Sequence, residues 1–152
     1  LLGGGFALAR GFSVTKLDDW LGARLTVLGS LPPFLLVAAL CLAFILISEV
    51  TSNTAQASAS LPVIASLAAA LSLHPAALMF TATLACSCGF MLPMATPPNA
   101  IVFGTGELTV PQMVRAGFVM DIIAVVVLTA LSLLWIYPAW GIALREAPSW
   151  AR

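Results

Sequence analysis

The stretch that decides the fold is SEVTSNTAQASAS, which runs from Ser48 to Ser60. It follows the uncharged apolar run LPPFLLVAALCLAFILI at residues 31–47. One acid and a row of hydroxyl and amide side chains therefore interrupt strongly apolar sequence. Because Ser, Thr and Asn compete with helical hydrogen bonds and favour helix starts, the pattern predicts that one apolar helix ends here and another begins near Asn53.

The composition around this stretch is typical of a protein whose solvent is lipid. Of the 152 residues, 61% are hydrophobic and 8% are charged, whereas soluble domains carry about 25% charged residues. Residues 25–48 and 122–144 carry no charge, and uncharged apolar runs of about 18 residues or more are typical of membrane segments. Six basic and six acidic residues cancel, which argues against the clustered positive charge of a nucleic-acid-binding surface.

A second polar interruption, LPMATPPNAIVFGTG, occupies residues 92–106. It ends the run of residues 50–106, in which His74 is the only titratable residue besides the cysteines. As one helix this run would be about 85 Å long, although the hydrocarbon core of a bilayer is only about 30 Å thick. The prolines at 93, 97 and 98, and the LHP sequence at 73–75, predict where the helix breaks.

We therefore predict an all-α integral membrane chain in five parts, and we expect it to belong to a longer polypeptide because it opens without Met. Trp135, Tyr137 and Trp140 are predicted to form an aromatic belt near the end of the last span. The five parts are the end of a preceding helix with an interfacial connector (1–24), a re-entrant helical hairpin with a Ser-Asn-Thr tip (25–73), a transmembrane helix unwound at 92–99 (74–110), a final transmembrane helix (111–140) and a polar tail (141–152).

The two breaks together predict a binding site. Unwound backbone at membrane depth is costly unless it lines a cavity or is buried in protein. Helix starts favour anions, and free carbonyls at helix ends suit a cation such as Na⁺. Discontinuous helices of this kind occur in ion-coupled transporters. Asn53 and Thr54 are able to bond a carboxylate without adding charge. Pro97 and Pro98 are predicted to form an open turn, with Asn99 capping the helix that follows.

Two acids and three cysteines lie within or next to these apolar runs. Glu49, as an intramembrane acid, is a candidate functional residue, but a hydrogen bond within the hairpin is the favoured interpretation. Asp121 is expected near the membrane interface beside Arg115 rather than in the protein interior. The cysteines, residues 41, 86 and 88, are interpreted as small apolar filler.

At the two breaks the sequence resembles the divalent anion/sodium symporter family, which carries di- and tricarboxylates. The family's Ser-Asn-Thr signature stands here as Ser52-Asn53-Thr54, and its second signature stands as LPMATPPNAIVFGTG. LLGGGFALA at the start and MVRAGFVMDI at 113–122 are also similar to the family. The resemblance implies that this chain is the C-terminal half of an inverted repeat, that the N-terminal half is not included, and that the whole carrier is a homodimer.

The resemblance also implies the site. It predicts sodium-coupled alternating access for a dicarboxylate such as succinate, in a bacterial inner membrane, with sodium as the coupling ion and no organic cofactor or nucleic acid. Ser48 stands where the family usually has Thr, which keeps the hydroxyl. The implied substrate-binding residues are Ser52, Asn53, Thr54, Thr96, Pro97 and Asn99, and the implied sodium ligands are Ser48, Thr51, Asn53 and Ala95.

Three other functions compete with this one. A sodium-independent exchanger, or a carrier of another anion, would share the same architecture. A structural membrane subunit would show small-residue packing without two polar helix breaks. An intramembrane hydrolase would need a nucleophile with a base or paired acids, and this interpretation is disfavoured because the sole histidine precedes a proline and Asp121 has no acidic neighbour in the sequence.

Overall fold

The computed structural model describes residues 31–146 continuously, and before them residues 7, 10–11, 14–17 and 20. Over this part of the chain the regular structure is helical and no strand is present, which confirms the all-α prediction there. Most of the connector predicted at 1–24, the first residues of the predicted hairpin and the end of the predicted tail lie outside the described residues.

The helices of the continuous part follow the two predicted interruptions. The first has 16 residues and is about 24 Å long, which is short for a full crossing of about 30 Å. The last helical stretch, Val110–Ala139, has 30 residues and is long and apolar enough to cross a membrane. In order, the elements are α1 (Pro33–Ser48), α2 (Asn53–Ala70), α3 (Pro75–Ala85), α4 (Pro97–Gly104) and α5 (Val110–Leu131), then a π-helix (Ser132–Ile136) and α6 (Tyr137–Ala139).

Local chemistry explains where these helices begin. Helices α1, α3 and α4 have proline in the first turn, where its missing N–H costs nothing and its fixed φ suits the helix. Helix α5 begins after Thr109, whose backbone N–H donates to Gln112 Oε1 at 2.9 Å in the manner of a capping box. Helix α2 begins after Ser52, which has extended backbone but makes no side-chain cap bond.

The helices pack around α1 and α3 rather than as a tight α1–α2 pair. Helix α1 packs against α3 and α5, whereas α2 packs mainly against α3. The two arms of the predicted hairpin enclose an apolar groove of about 370 Å³. Near the tip, the arms are joined by Gln56, whose Nε2 donates to the Phe44 carbonyl at 3.0 Å. The core is built from small and branched side chains, including Val37, Cys41, Ile45, Ala77 and Leu78.

The break between α3 and α4 differs from the predicted one. The backbone is irregular from residue 86 to residue 96, which we call the unwound segment, and not over 92–99. The predicted open turn at Pro97 and Pro98 is wrong, because both prolines lie in the first turn of α4. Thr96 is the cap, since its Oγ1 accepts the Asn99 N–H at 3.4 Å, so the prediction of Asn99 as the cap is also wrong.

Tyr137 was predicted in the aromatic belt, and that prediction is wrong. Its side chain is only 3% exposed, and its hydroxyl donates to the Ala77 carbonyl at 3.1 Å and lies 2.7 Å from Thr81 Oγ1. Thr81 Oγ1 also donates to Ser132 Oγ at 3.1 Å. A buried polar network therefore joins α3 to the π-helix.

Candidate functional site

The predicted hairpin tip is a short turn that buries its first two residues. Helix α1 ends at Ser48, whose fully buried hydroxyl donates to the Ile45 carbonyl at 2.8 Å. Glu49 follows and is also buried. The chain then turns outward and starts α2 at Asn53. Because no side chain caps α2, first-turn N–H groups remain available to an anion.

A cavity of about 290 Å³ with several polar side chains in its lining opens at this helix start, and the end of α3 with the residues that follow it forms the other wall. Asn53 and Thr54, which were predicted to bind substrate, line the cavity from α2. Thr83 and Ser87 line it from the end of α3 and the start of the unwound segment. Neither hydroxyl side chain was predicted from the sequence, although hydroxyl residues next to a helix end are a signal that indicates such a position.

Asn53 has the feature that most clearly marks a ligand position. Its Oδ1 is buried and accepts no hydrogen bond from the described residues. A buried amide oxygen without a donor is costly unless a ligand or ion satisfies it. An uncharged hard oxygen suits Na⁺ or another hard cation.

Two of the predicted sodium ligands, Ser48 and Ala95, meet at Gly89. A Cβ built on Gly89 would lie 2.9 Å from Ser48 Oγ and 3.2 Å from Ala95 Cβ. The absence of a side chain at this position therefore lets the unwound segment lie directly against the end of α1. Gly89 was not predicted from the sequence as a site residue, because its importance depends on contacts between residues far apart in the chain.

Thr51, the remaining predicted sodium ligand, has its side chain engaged elsewhere. Its hydroxyl donates to the Ile47 carbonyl at 2.9 Å and lies 3.0 Å from Gln56 Oε1. The side chain is exposed.

The predicted substrate residues that belong to the LPMATPPNAIVFGTG stretch do not line the cavity at Asn53. Thr96, Pro97 and Asn99 are absent from its lining. Asn99 Nδ2 instead donates to the carbonyls of Leu92 at 3.0 Å and Gly89 at 3.4 Å. Among the residues described, its amide thus holds the unwound segment in shape.

Two buried carboxyl groups bind the backbone of the unwound segment. Glu49 Oε1 accepts the Met91 N–H at 2.9 Å and Oε2 accepts the Leu92 N–H at 2.7 Å. Asp121 Oδ1 accepts the Phe90 N–H at 3.2 Å. The hydrogen bond within the hairpin predicted for Glu49 is therefore wrong, because the acceptor atoms face a different element.

Asp121 was predicted at the interface beside Arg115, and that prediction is wrong. Its side chain is 1% exposed and adjoins the carboxyl group of Glu49. Asp121 therefore does have an acidic neighbour, brought by the fold and not by the sequence. One turn earlier, a Cβ on Gly117 would overlap the Phe90 carbonyl, so α5 contacts the unwound segment backbone to backbone.

The fold and the site define a helical membrane protein whose helices are interrupted at a polar, partly buried site. The sequence matches the family described as the sodium:sulfate symporter transmembrane region over residues 1–142. The chain belongs to this family, which confirms the resemblance seen at the Ser-Asn-Thr and LPMATPPNAIVFGTG signatures. As a member of a transmembrane family, it is an integral membrane protein.

The chain is similar to curated relatives from mammals and bacteria. It is 48% identical over 151 residues to solute carrier family 13 member 2 of Rattus norvegicus, covering 99% of this chain and 25% of that protein. It is 42% identical over 151 residues to solute carrier family 13 member 1 of Mus musculus, with the same coverage of each. It is 40% identical over 146 residues to the sodium-dependent dicarboxylate transporter SdcS of Staphylococcus saprophyticus, covering 96% of this chain and 28% of that protein. The chain thus spans about a quarter of the length of these relatives.

Proposed function

We propose that the full-length polypeptide to which this chain belongs is a sodium-coupled carrier of dicarboxylates such as succinate. Membership of a sodium:sulfate symporter family supports sodium coupling, and similarity to a sodium-dependent dicarboxylate transporter supports the substrate class. In this proposal the chain is part of the C-terminal half of an inverted repeat. The whole carrier is a homodimer in a bacterial inner membrane and works by alternating access.

The observation that carries the proposal is the environment of Asn53. Its buried Oδ1 has no hydrogen-bond donor among the described residues, which favours a cation, while the uncapped start of α2 favours an anion. A cation and an anion bound side by side would offset each other's charge. This arrangement accounts for coupled binding of sodium and a dicarboxylate at one helix break.

The proposed sodium ligands are the hydroxyl of Ser48, the side-chain oxygen of Asn53 and the carbonyls of Thr51 and Ala95. The Ser48 hydroxyl already uses its hydrogen on Ile45, so its oxygen lone pairs remain for a cation. All four groups are oxygen donors, which match the preference of a hard cation.

For the substrate, we propose that Ser52, Asn53 and Thr54 bind one carboxylate, with Thr83 and Ser87 on the facing wall. The equivalent tip in the other half of the carrier would bind the second carboxylate. Thr96 and Asn99 support the pocket by shaping the break that precedes α4, and Pro97 fixes the start of that helix.

The proposal is tested by uptake of labelled succinate into proteoliposomes that contain the full-length polypeptide, with and without an inward sodium gradient. The Asn53→Ala variant is expected to lose sodium-driven uptake because both ions lose a ligand. The matched control is Ser60→Ala, about two turns further along α2, where the hydroxyl donates to the Gln56 carbonyl at 2.6 Å.

Each other result changes the proposal in a defined way. Uptake that needs internal dicarboxylate and ignores sodium would make the protein an exchanger. Full activity of Asn53→Ala would remove this residue from the site. If folded wild-type protein transports no succinate, the dicarboxylate assignment is wrong, and uptake of sulfate would be measured next.

A further inference from the structure

Gln56 is a buried polar side chain near the start of α2 to which the transport proposal gives no role. It is only 8% exposed, in a protein whose solvent is lipid. Its Nε2 donates to the Phe44 carbonyl of α1 at 3.0 Å, and its Oε1 lies 3.0 Å from the hydroxyl oxygen of Thr51 in the tip. One side chain thus links both arms of the predicted hairpin and the turn between them.

The hydrogen bonds of Gln56 resist separation of the two arms. The Thr51 hydroxyl has one hydrogen, which Gln56 Oε1 shares with the Ile47 carbonyl at 2.9 Å. Hydrogen bonds are electrostatically stronger in a medium of low dielectric than in water. A buried amide that loses its partners bears the cost of its desolvation. Movement of α2 away from α1 would leave the Gln56 amide in that state.

The rest of the boundary between α1 and α2 is loosely filled. An apolar groove of about 370 Å³ lies between the two helices, and a second groove of about 500 Å³ continues it to the tip. Phe44, Ser60 and Val63 line both grooves. Since α2 packs mainly against α3, the distance between α1 and α2 at the tip depends strongly on Gln56.

Gln56 lies on the face of α2 opposite to the cavity at Asn53. Asn53 and Thr54 line that cavity, whereas Gln56 lines the second groove beside Ala55 and Ala59. No residue lines both spaces. With 3.6 residues per turn, the two sets of residues occupy opposite sides of the helix. Gln56 therefore acts on a ligand at Asn53 through the position of the helices and not by contact.

We propose that Gln56 is a positioning residue that sets the cation preference of the site. The inference rests on the proposed function, in which the sodium ligands include Ser48 at the end of α1 and Asn53 at the start of α2. Gln56 spans the gap between these two helix ends. Selectivity among hard cations depends on the size of the site and on the rigidity of its ligands. With the gap fixed, the site prefers Na⁺ to the smaller Li⁺.

The first test is hydrogen–deuterium exchange of the full-length polypeptide in detergent, with Na⁺ or Li⁺ titrated at constant ionic strength. Gln56→Met approximately keeps the length and volume of the side chain and removes both hydrogen bonds. Without either cation, the N–H groups of residues 49–57 should exchange faster in the variant than in the wild type. The Na⁺ concentration that gives half of the protection should rise by about three- to tenfold. The Li⁺ concentration should change less, so the preference for Na⁺ falls.

Sodium-driven uptake of succinate into proteoliposomes is the second readout. In Gln56→Met, the sodium concentration for half-maximal uptake should rise, while the maximal rate at saturating sodium stays within about twofold of the wild type. The matched control is Ser60→Ala, one turn further along the same face of α2. The Ser60 hydroxyl donates to the Gln56 carbonyl at 2.6 Å within α2 and so does not link the arms. Its variant should match the wild type in both readouts.

Gln56→Asn is measured beside Gln56→Met, because its amide is one methylene too short to reach both partners. It should change the exchange and the cation titrations in the same direction. Failure of both variants to fold would assign Gln56 to stability alone and overturn the inference. Unchanged Na⁺ and Li⁺ midpoints in folded variants would overturn it as well, and so would unchanged exchange of residues 49–57 without cation.

The exchange measurement requires no transport, so the two proposals fail in distinguishable ways. Absence of succinate uptake by folded wild-type protein contradicts the transport proposal, whereas the exchange titrations decide the role of Gln56. Exchange of residues 49–57 that ignores Na⁺ in the wild type would overturn the inference together with the proposed sodium site.

Discussion

Gly89 is a residue of the unwound segment that lies directly against the end of α1. Its missing side chain leaves the space that Ser48 Oγ, Ala95 and Glu49 Oε1 surround. A Cβ there would lie 3.3 Å from Glu49 Oε1, in addition to its short approach to Ser48. The requirement for glycine is therefore steric, and it concerns the same residues that we propose to bind sodium.

Gly89→Ala should weaken sodium binding without abolishing it. The added methyl group displaces the Ser48 hydroxyl or the Ala95 backbone by a few tenths of an ångström. We expect the sodium concentration for half-maximal uptake to rise by about three- to tenfold, which corresponds to about 0.7–1.4 kcal/mol. Sodium titration of succinate uptake by the full-length polypeptide measures this.

The comparison for that titration is Gly104→Ala, because a Cβ at Gly104 meets nothing within 4 Å. Its sodium dependence should match that of the wild type. An unchanged sodium dependence in Gly89→Ala would place the cation away from Ser48 and Ala95, even if uptake itself remains sodium-driven.

At the scale of elements, the unwound segment is held by groups that lie far from it in the sequence. Irregular backbone at membrane depth needs partners for its N–H and C=O groups. Glu49, Asn99 and Asp121 supply them from α1, α4 and α5, respectively. Three N–H groups and two carbonyls of the break thus have side-chain partners from other elements of the folded chain.

Gly117→Ala should separate α5 from the unwound segment. Its Cβ would overlap the backbone of Phe90 and Met91, and backbone atoms cannot move aside by changing a side-chain rotamer. Overpacking of this kind typically lowers the free energy of unfolding by about 1–3 kcal/mol. Thermal unfolding of the purified full-length polypeptide should show a lower midpoint.

Gly104→Ala provides the matched glycine substitution for this stability measurement as well. It adds the same methyl group at the open end of α4, where Ala is expected to be neutral or stabilising by up to about 1 kcal/mol. Equal midpoints for the two variants would contradict close packing of α5 on the unwound segment.

The sequence predicted the helices better than it predicted their breaks. Uncharged runs and prolines indicated where α1, α3 and α5 lie, because these signals are local. The predicted bounds of the unwound segment were misplaced, because this segment is held by carboxyl groups at positions 49 and 121, which lie far from it in the sequence. The roles of Glu49 and Asp121 were misjudged for the same reason, because proximity across 72 residues of sequence (121 minus 49) is set by packing.

At the scale of the whole molecule, α1, α3 and α5 are joined at two separate places. The carboxyl groups of Glu49 and Asp121 join the end of α1 and α5 through the unwound segment. Thr81 joins α3 to Ser132 and Tyr137 beyond the end of α5. Buried polar contacts at both places favour movement of these helices together, which is what the proposed alternating access requires of one half of the carrier.

Cross-linking α3 to the π-helix should therefore leave transport intact. Thr81 Oγ1 and Ser132 Oγ are 3.1 Å apart, so cysteines at both positions need only a small approach to form a disulfide of about 2.05 Å. The variant is made in a full-length background in which the cysteines at 41, 86 and 88 are replaced by alanine, and the two single-cysteine variants are its controls. Oxidation should cross-link the double variant and leave sodium-driven uptake within about twofold of its reduced value, since a link inside one body does not restrict movement of that body. Uptake that stops on oxidation and returns on reduction, in the double variant alone, would mean that α3 and the last helix move relative to each other during transport.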